Sequence, residues 1–169
     1  MKAATVKELK QELSNRSQKE LLELCLRLSK FKKENKELLT YLLYEESDEA
    51  AFIQSVKREI EQEFEGINRT SYYFIKKSVR KILRNTKKYI RYSKKKETEV
   101  ELLIYFCLEL KKMKPSIKRN MVLQNIFNRQ IETIKKAIST LHEDLQYDYE
   151  LELNEILSEE TNDTILKNN

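Results

Sequence analysis

The sequence predicts an all-α fold: an irregular antiparallel helical bundle or a short helical-hairpin array of seven to eight helices. Three observations carry this expectation. Glycine and proline occur once each, at Gly66 and Pro115, which removes nearly every positive-φ turn that β-hairpins need. Apolar residues recur at spacings of three and four along most of the chain, the period of an amphipathic helix. Charged residues make up 36% of the chain against 40% hydrophobic, a balance that suits long solvated helix faces and still leaves enough apolar surface for a core. A length of 169 residues fits one domain. That domain is expected over residues 1–160, with a frayed tail over 161–169.

Thr5 with Glu8, and Ser17 with Glu20, have capping-box spacing, so that hydroxyl and carboxylate satisfy donors a helix start leaves unpaired. They open helices near 6–14 and 18–33. The segment 35–45 continues with Leu38, Leu39, Leu42 and Leu43. Ser47, Asp48 and Glu49 start a further helix carrying Phe52, Ile53, Val56, Ile60 and Phe64, and Gly66 stops it in the manner of a C-terminal glycine. The longest helix runs from Thr70 or Ser71 to about Ser93, and another from about Thr98 to Met113. In the latter, Val100, Leu102, Leu103, Ile104, Phe106, Cys107, Leu108 and Leu110 cover about 240° of the circumference. That helix is expected at the centre, with Leu103, Ile104 and Cys107 fully buried. Pro115 and Ser116 punctuate the chain, and a helix marked by Ile117, Met121, Phe127, Ile131, Ile134, Ile138 and Leu141 is expected just after the proline. Residues 145–153 fit strand period as well as helix period; helix is chosen because no second strand exists to pair with. Cys25 and Cys107 both fall at apolar helical positions, where a buried thiol acts as a small hydrophobe.

Charge is strongly segregated. Residues 1–65 hold 12 basic and 14 acidic side chains, residues 66–136 hold 20 and 5, and residues 137–169 hold 1 and 9. No acidic residue lies between Gly66 and Lys96. At about 100° per residue, Ile75, Val79, Ile82, Thr86, Tyr89 and Ile90 gather on one side of the 70–93 helix. Lys76, Lys77, Arg80, Lys81, Arg84, Lys87, Lys88, Arg91 and Lys95 form the opposing arc. Tyr73 projects from the middle of that arc, with Phe74 and Tyr92 near its edge. Cations beside aromatics suit a surface that neutralises phosphates and stacks on bases. The same arc could equally be covered by the protein's own acidic face of Asp144, Asp148, Glu152, Glu155 and Glu159, or by an acidic patch on a partner protein.

Catalytic and metal-binding chemistry lacks its residues. His142 is the single histidine, and Glu143 and Asp144 stand beside it without a triad motif. There is no Cys-x-x-Cys, and Ser139 occupies the place three before His142 where a di-iron motif needs Glu. Glu59, Glu61, Glu63 and Glu65 alternate around a helix and lack a calcium loop's glycine, so they read as a solvated face. No enzyme, metal or cofactor is expected. The longest apolar run, Leu102 to Leu108, is far below the ~20 residues of a membrane span. The N-terminus becomes charged before any signal-peptide core could begin. A cytoplasmic protein with no membrane attachment is therefore expected.

The opening stretch Val6 to Leu13, followed by Leu21, Leu24, Leu28, Phe31, Lys32, Lys36 and Tyr41, resembles a functionally uncharacterised family of small bacterial all-helical proteins over about the first quarter of the chain. The resemblance implies a bacterial cytoplasmic protein of this length and brings no catalytic residue, cofactor or partner. Taken together, the residues point to a non-enzymatic interaction module that binds an acidic partner, protein or nucleic acid, through its basic amphipathic helix. The alternatives are a nucleic-acid binder with slight sequence preference and a protein-interaction scaffold whose basic helix is masked by its own acidic C-terminal helix.

Overall fold

A computed structural model describes the backbone of residues 1–165 and the side chains of residues 1–158. The chain is all-α, with eight α-helices and no strand among the described residues. They are α1 (Val6–Ser14), α2 (Gln18–Phe31), α3 (Lys33–Thr40), α4 (Glu49–Glu65), α5 (Tyr72–Ser93), α6 (Lys96–Lys112), α7 (Met121–Ile138) and α8 (Glu143–Ile165). A π-helical turn, Tyr41–Glu45, follows α3, and a 3-10 turn, Ile117–Arg119, precedes α7. The segment 145–153 is helical, as the lack of a strand partner requires. Where the sequence suggested one domain over 1–160, the chain divides into two compact units, Met1–Glu45 and Glu46–Asn169. The side chains of the expected tail, 161–169, lie outside the described residues.

In the first unit both capping boxes form. Thr5 Oγ1 accepts from the Glu8 amide at 3.3 Å while Glu8 accepts from the Thr5 amide at 2.7 Å. Ser17 and Glu20 repeat the exchange at 3.4 and 2.8 Å. These bonds, first from the backbone amides of Thr5 and Ser17 and then from their hydroxyls, hold both carboxyls below the ordinary glutamate range. The expected 18–33 helix breaks at Lys32, which is extended at φ −142° and ψ 147°, and the Asn35 side chain spans the break by donating to the Leu28 carbonyl at 2.9 Å. No residue of α1, α2 or α3 is buried, although Tyr41 in the following turn is.

Cys25 corrects the sequence reading: it is exposed, because α2 has an apolar face that its own unit leaves open. Cys107 is buried as expected, and burial pushes its thiol up to about 12. A colorimetric thiol reagent should therefore titrate Cys25 rapidly in the native protein and Cys107 only after denaturant is added. Two fast thiols would contradict this packing.

In the second unit α6 is the central element, in contact with α4, α5, α7 and α8. Leu103, Ile104 and Cys107 are buried as the 240° apolar arc requires, and Phe106 packs its ring 5.6 Å from that of Phe64 on α4. Ile75, Val79, Ile82 and Thr86 form the buried stripe of α5. Tyr92 departs from expectation: it is buried rather than at the edge of the cationic arc. Glycine does not supply a left-handed cap here, since Gly66 has φ −73°; the left-handed position is Lys94 at the end of α5, with φ 59°. Helix α7 begins later than the proline suggests, because Asn120 caps it by accepting from the amides of Val122 and Leu123, and Met121 is exposed. The carboxylate of Glu49 ties the start of α4 to the α5–α6 junction, accepting from Ser93 Oγ at 2.5 Å, Thr98 Oγ1 at 2.6 Å and Lys95 Nζ at 2.9 Å.

Candidate nucleic-acid interface

The buried stripe of α5 rotates its basic residues outward. Tyr73, Lys77, Arg80, Lys81, Arg84, Arg91 and Lys95 are exposed, and Lys76, Lys87 and Lys88 are half-buried. Tyr73 stands edge-on to Phe74 with ring centroids 5.3 Å apart, and both rings face solvent. A shallow concavity of about 510 Å³ runs between Tyr73 and Arg84, walled by Lys77, Arg80 and Lys81. The sequence-predicted residues thus form one continuous surface along the helix, with Lys88 and Lys95 as its exceptions. The ammonium of Lys88 sits 4.7 Å from the centroid of the Tyr89 ring, and Lys95 pairs with Glu49.

The acidic groups near α5 come from α4. Glu63 accepts from Asn85 at 3.0 Å and pairs with Lys81 at 3.5 Å, while Glu59 accepts from the Tyr89 hydroxyl at 2.8 Å. Asp144, Asp148, Glu152 and Glu155 of α8 make no ion pair with α5. Instead Leu153 and Ile156 are buried as α8 packs on α6 and α7, Tyr149 donates to Glu101 at 3.3 Å, and Lys111 donates to the Ile156 carbonyl. The side chain of Glu159, the last of that acidic face, lies outside the described residues. Among the described residues, Lys76, Lys77, Arg80, Arg84, Lys87 and Arg91 have no carboxylate partner.

Sequence reasoning missed a second wall. A groove of about 680 Å³ lies between α5 and α7, with Arg80, Leu83 and Lys87 on one side and Ile126, Arg129 and Lys136 on the other. Arg129 and Lys136 are seven residues apart, so they share one face of α7; that this face looks toward the cations of α5 is a tertiary fact. Gln130 is the buried member of the groove lining, at 4% exposure. Its Nε2 donates to the Ile126 carbonyl at 3.2 Å, and its Oε1 is buried without a hydrogen-bond partner. An unpaired buried acceptor costs about 1–3 kcal/mol. The signal for it was available: Gln130 interrupts the apolar stripe of Phe127, Ile131 and Ile134.

His142 is exposed, 3.5 Å from Asp144. Among the described residues no group of three or more His, Cys, Asp or Glu could hold a metal ion, and no helix is long and apolar enough to cross a membrane. The Lys57–Glu101 pair at 2.9 Å, joined by Tyr149, links α4, α6 and α8; burial, then the charge of Glu101, raises the Tyr149 phenol. The chain matches no protein-family model, and neither curated proteins nor solved structures yield a match.

Proposed function

We propose that this chain is a non-enzymatic, cytoplasmic helical module that binds nucleic acid through the basic face of α5, gripping the phosphate backbone with slight sequence preference. The observation that supports this reading most is the set of six cations on one face that have no carboxylate partner. Like charges at i,i+4, such as Lys76 with Arg80 and Arg80 with Arg84, each cost ~0.2–0.5 kcal/mol in the free helix. A polyanion relieves that repulsion. The 22 residues of α5 give a reach of about 33 Å, close to one duplex turn. Exposed Tyr73 and Phe74 at its N-terminal end add a stacking surface for unpaired bases.

Salt titration of oligonucleotide binding, read by fluorescence anisotropy, tests the proposal. With four or five phosphate contacts, log affinity should fall against log salt with a slope of roughly −3 to −5. Lys77→Ala, Arg80→Ala or Arg84→Ala should each reduce the steepness by about one. Failure to bind single-stranded or duplex oligonucleotides even in low salt would end this reading.

A further inference from the structure

We infer that the open apolar face of α2 and α3 is the contact surface of a two-fold homodimer, covered by the same face of a second copy of this chain. At about 100° per residue, Leu21, Leu22, Leu24, Cys25, Leu26, Leu28 and Phe31 occupy about 220° of the circumference of α2. Helix α6 carries an arc of similar width, and that arc is covered because four helices surround it. Within its own unit α2 packs chiefly on α3, and no residue of either helix is buried. It has the sequence of a central helix without the neighbours of one. Where α2 meets α3 an apolar concavity of about 300 Å³ stays open, lined by Cys25, Leu28, Leu38, Leu39 and Leu42.

The amount, location and charge of this surface point to its occupant. The exposed apolar side chains of α2 and the π-turn, with Leu28 at 60%, Phe31 at 75% and Leu43 at 63%, sum to roughly 800–1,000 Å², which matches the ~800 Å² that each partner gives a stable interface. Among the described residues, twelve of the seventeen exposed large hydrophobic side chains belong to Met1–Glu45. The other five, Tyr73, Phe74, Met121, Tyr147 and Leu151, are spread over α5, α7 and α8. The apolar helical surface of matching size that this protein supplies is therefore the same face on another copy, and in a two-fold dimer like patch meets like. Pairing the two faces gives each the opposite layer that a four-helix bundle provides. Charge favours the same occupant. The polar side of α2 carries Lys19, Glu20, Glu23, Arg27 and Lys30, and residues 1–45 hold 10 basic and 7 acidic side chains. A helix that lies on a membrane concentrates Lys and Arg on its polar face, whereas mixed signs suit the polar rim of a protein interface.

Sedimentation velocity of the full chain over a range of concentrations tests this, with a reversible monomer–dimer equilibrium as the expected result. Leu24→Glu and Phe31→Glu, at side chains exposed in the single chain, should each weaken dimerisation more than tenfold, because each would bury an unpaired carboxylate in the contact. Leu151→Glu, at an exposed position of α8, should leave the equilibrium unchanged. Cys25 supplies a second readout: its reaction with the thiol reagent, rapid in the isolated chain, should slow as protein concentration rises, while Cys107 stays unreactive. Circular dichroism melting checks that each variant is folded; should either unfold as a whole, the mass of the parent and the protection of its Cys25 decide. A single-chain mass at every concentration overturns the dimer, and if that monomer sediments with phosphatidylglycerol vesicles in a Phe31-dependent way, the face belongs to lipid. A dimer that survives both Leu24→Glu and Phe31→Glu, or one that Leu151→Glu dissolves, overturns this interface. Assemblies that keep growing with concentration overturn the closed two-fold arrangement.

Discussion

Leu103→Ala is expected to cost about 2–5 kcal/mol of folding stability, through the lost transfer energy of the side chain and the cavity left behind. Leu103 is 1% exposed at the middle of α6, and α6 is flanked by α4, α5, α7 and α8. A peripheral helix could tilt inward to close the gap. A helix held on four sides by helices that each bury their own stripe against it has no such freedom. Urea denaturation followed by circular dichroism measures the loss, with the slope of the transition as a check that the unfolded state is unchanged. A loss below about 1 kcal/mol would mean that α6 is not the centre of its unit.

Glu49→Ala should destabilise by about 2–4 kcal/mol, because hydrogen bonds to a charged group are worth about 1.5–3 kcal/mol each and leave polar groups stranded when broken. The carboxylate gathers Ser93, Thr98 and Lys95, and Thr98 is fully buried. Without Glu49 the two hydroxyls keep each other, at 3.1 Å, and Lys95 loses its ion pair. Glu49 also stands in the first turn of α4, where a negative charge opposes the helix dipole favourably. Glu49→Gln should lose less, since an acceptor oxygen remains. A double-mutant cycle with Thr98→Val isolates the coupling; additive losses from the two positions would show that the network is not a unit.

Much of the second unit was legible because its signal is periodic. The stripe Ile75, Val79, Ile82 and Thr86 and the wide apolar arc of α6 are consequences of helix geometry acting on residue type, and both are buried where they were placed, except that Leu108 is half-buried. The capping boxes at Thr5 and Ser17 were equally local. What local pattern cannot supply is the identity of the neighbour. The acidic face of α8 complements α5 in charge, yet Leu153 and Ile156 commit α8 to α6 and α7, and the glutamates of α4 take the positions beside α5. The groove had the same obscurity: Arg129 and Lys136 stand seven residues apart in the sequence, but only packing shows that they line a groove with Arg80 and Lys87. Lys94 in the left-handed region has no sequence signal at all, since glycine or asparagine is the usual occupant. Cys25 was misplaced because an amphipathic helix announces an apolar face without saying that anything covers it.

The separation of charge in the second unit also bears on how fast a partner arrives. The cations of α5 are left unneutralised on one surface, and the carboxylates of α8 that are described do not pair with them. A body charged in this way has a permanent dipole moment, and in the field of a polyanion it experiences a torque before it makes contact. Collisions then occur with α5 leading more often than random tumbling would allow, which removes part of the orientational penalty that holds ordinary association to about 10⁵–10⁷ M⁻¹s⁻¹.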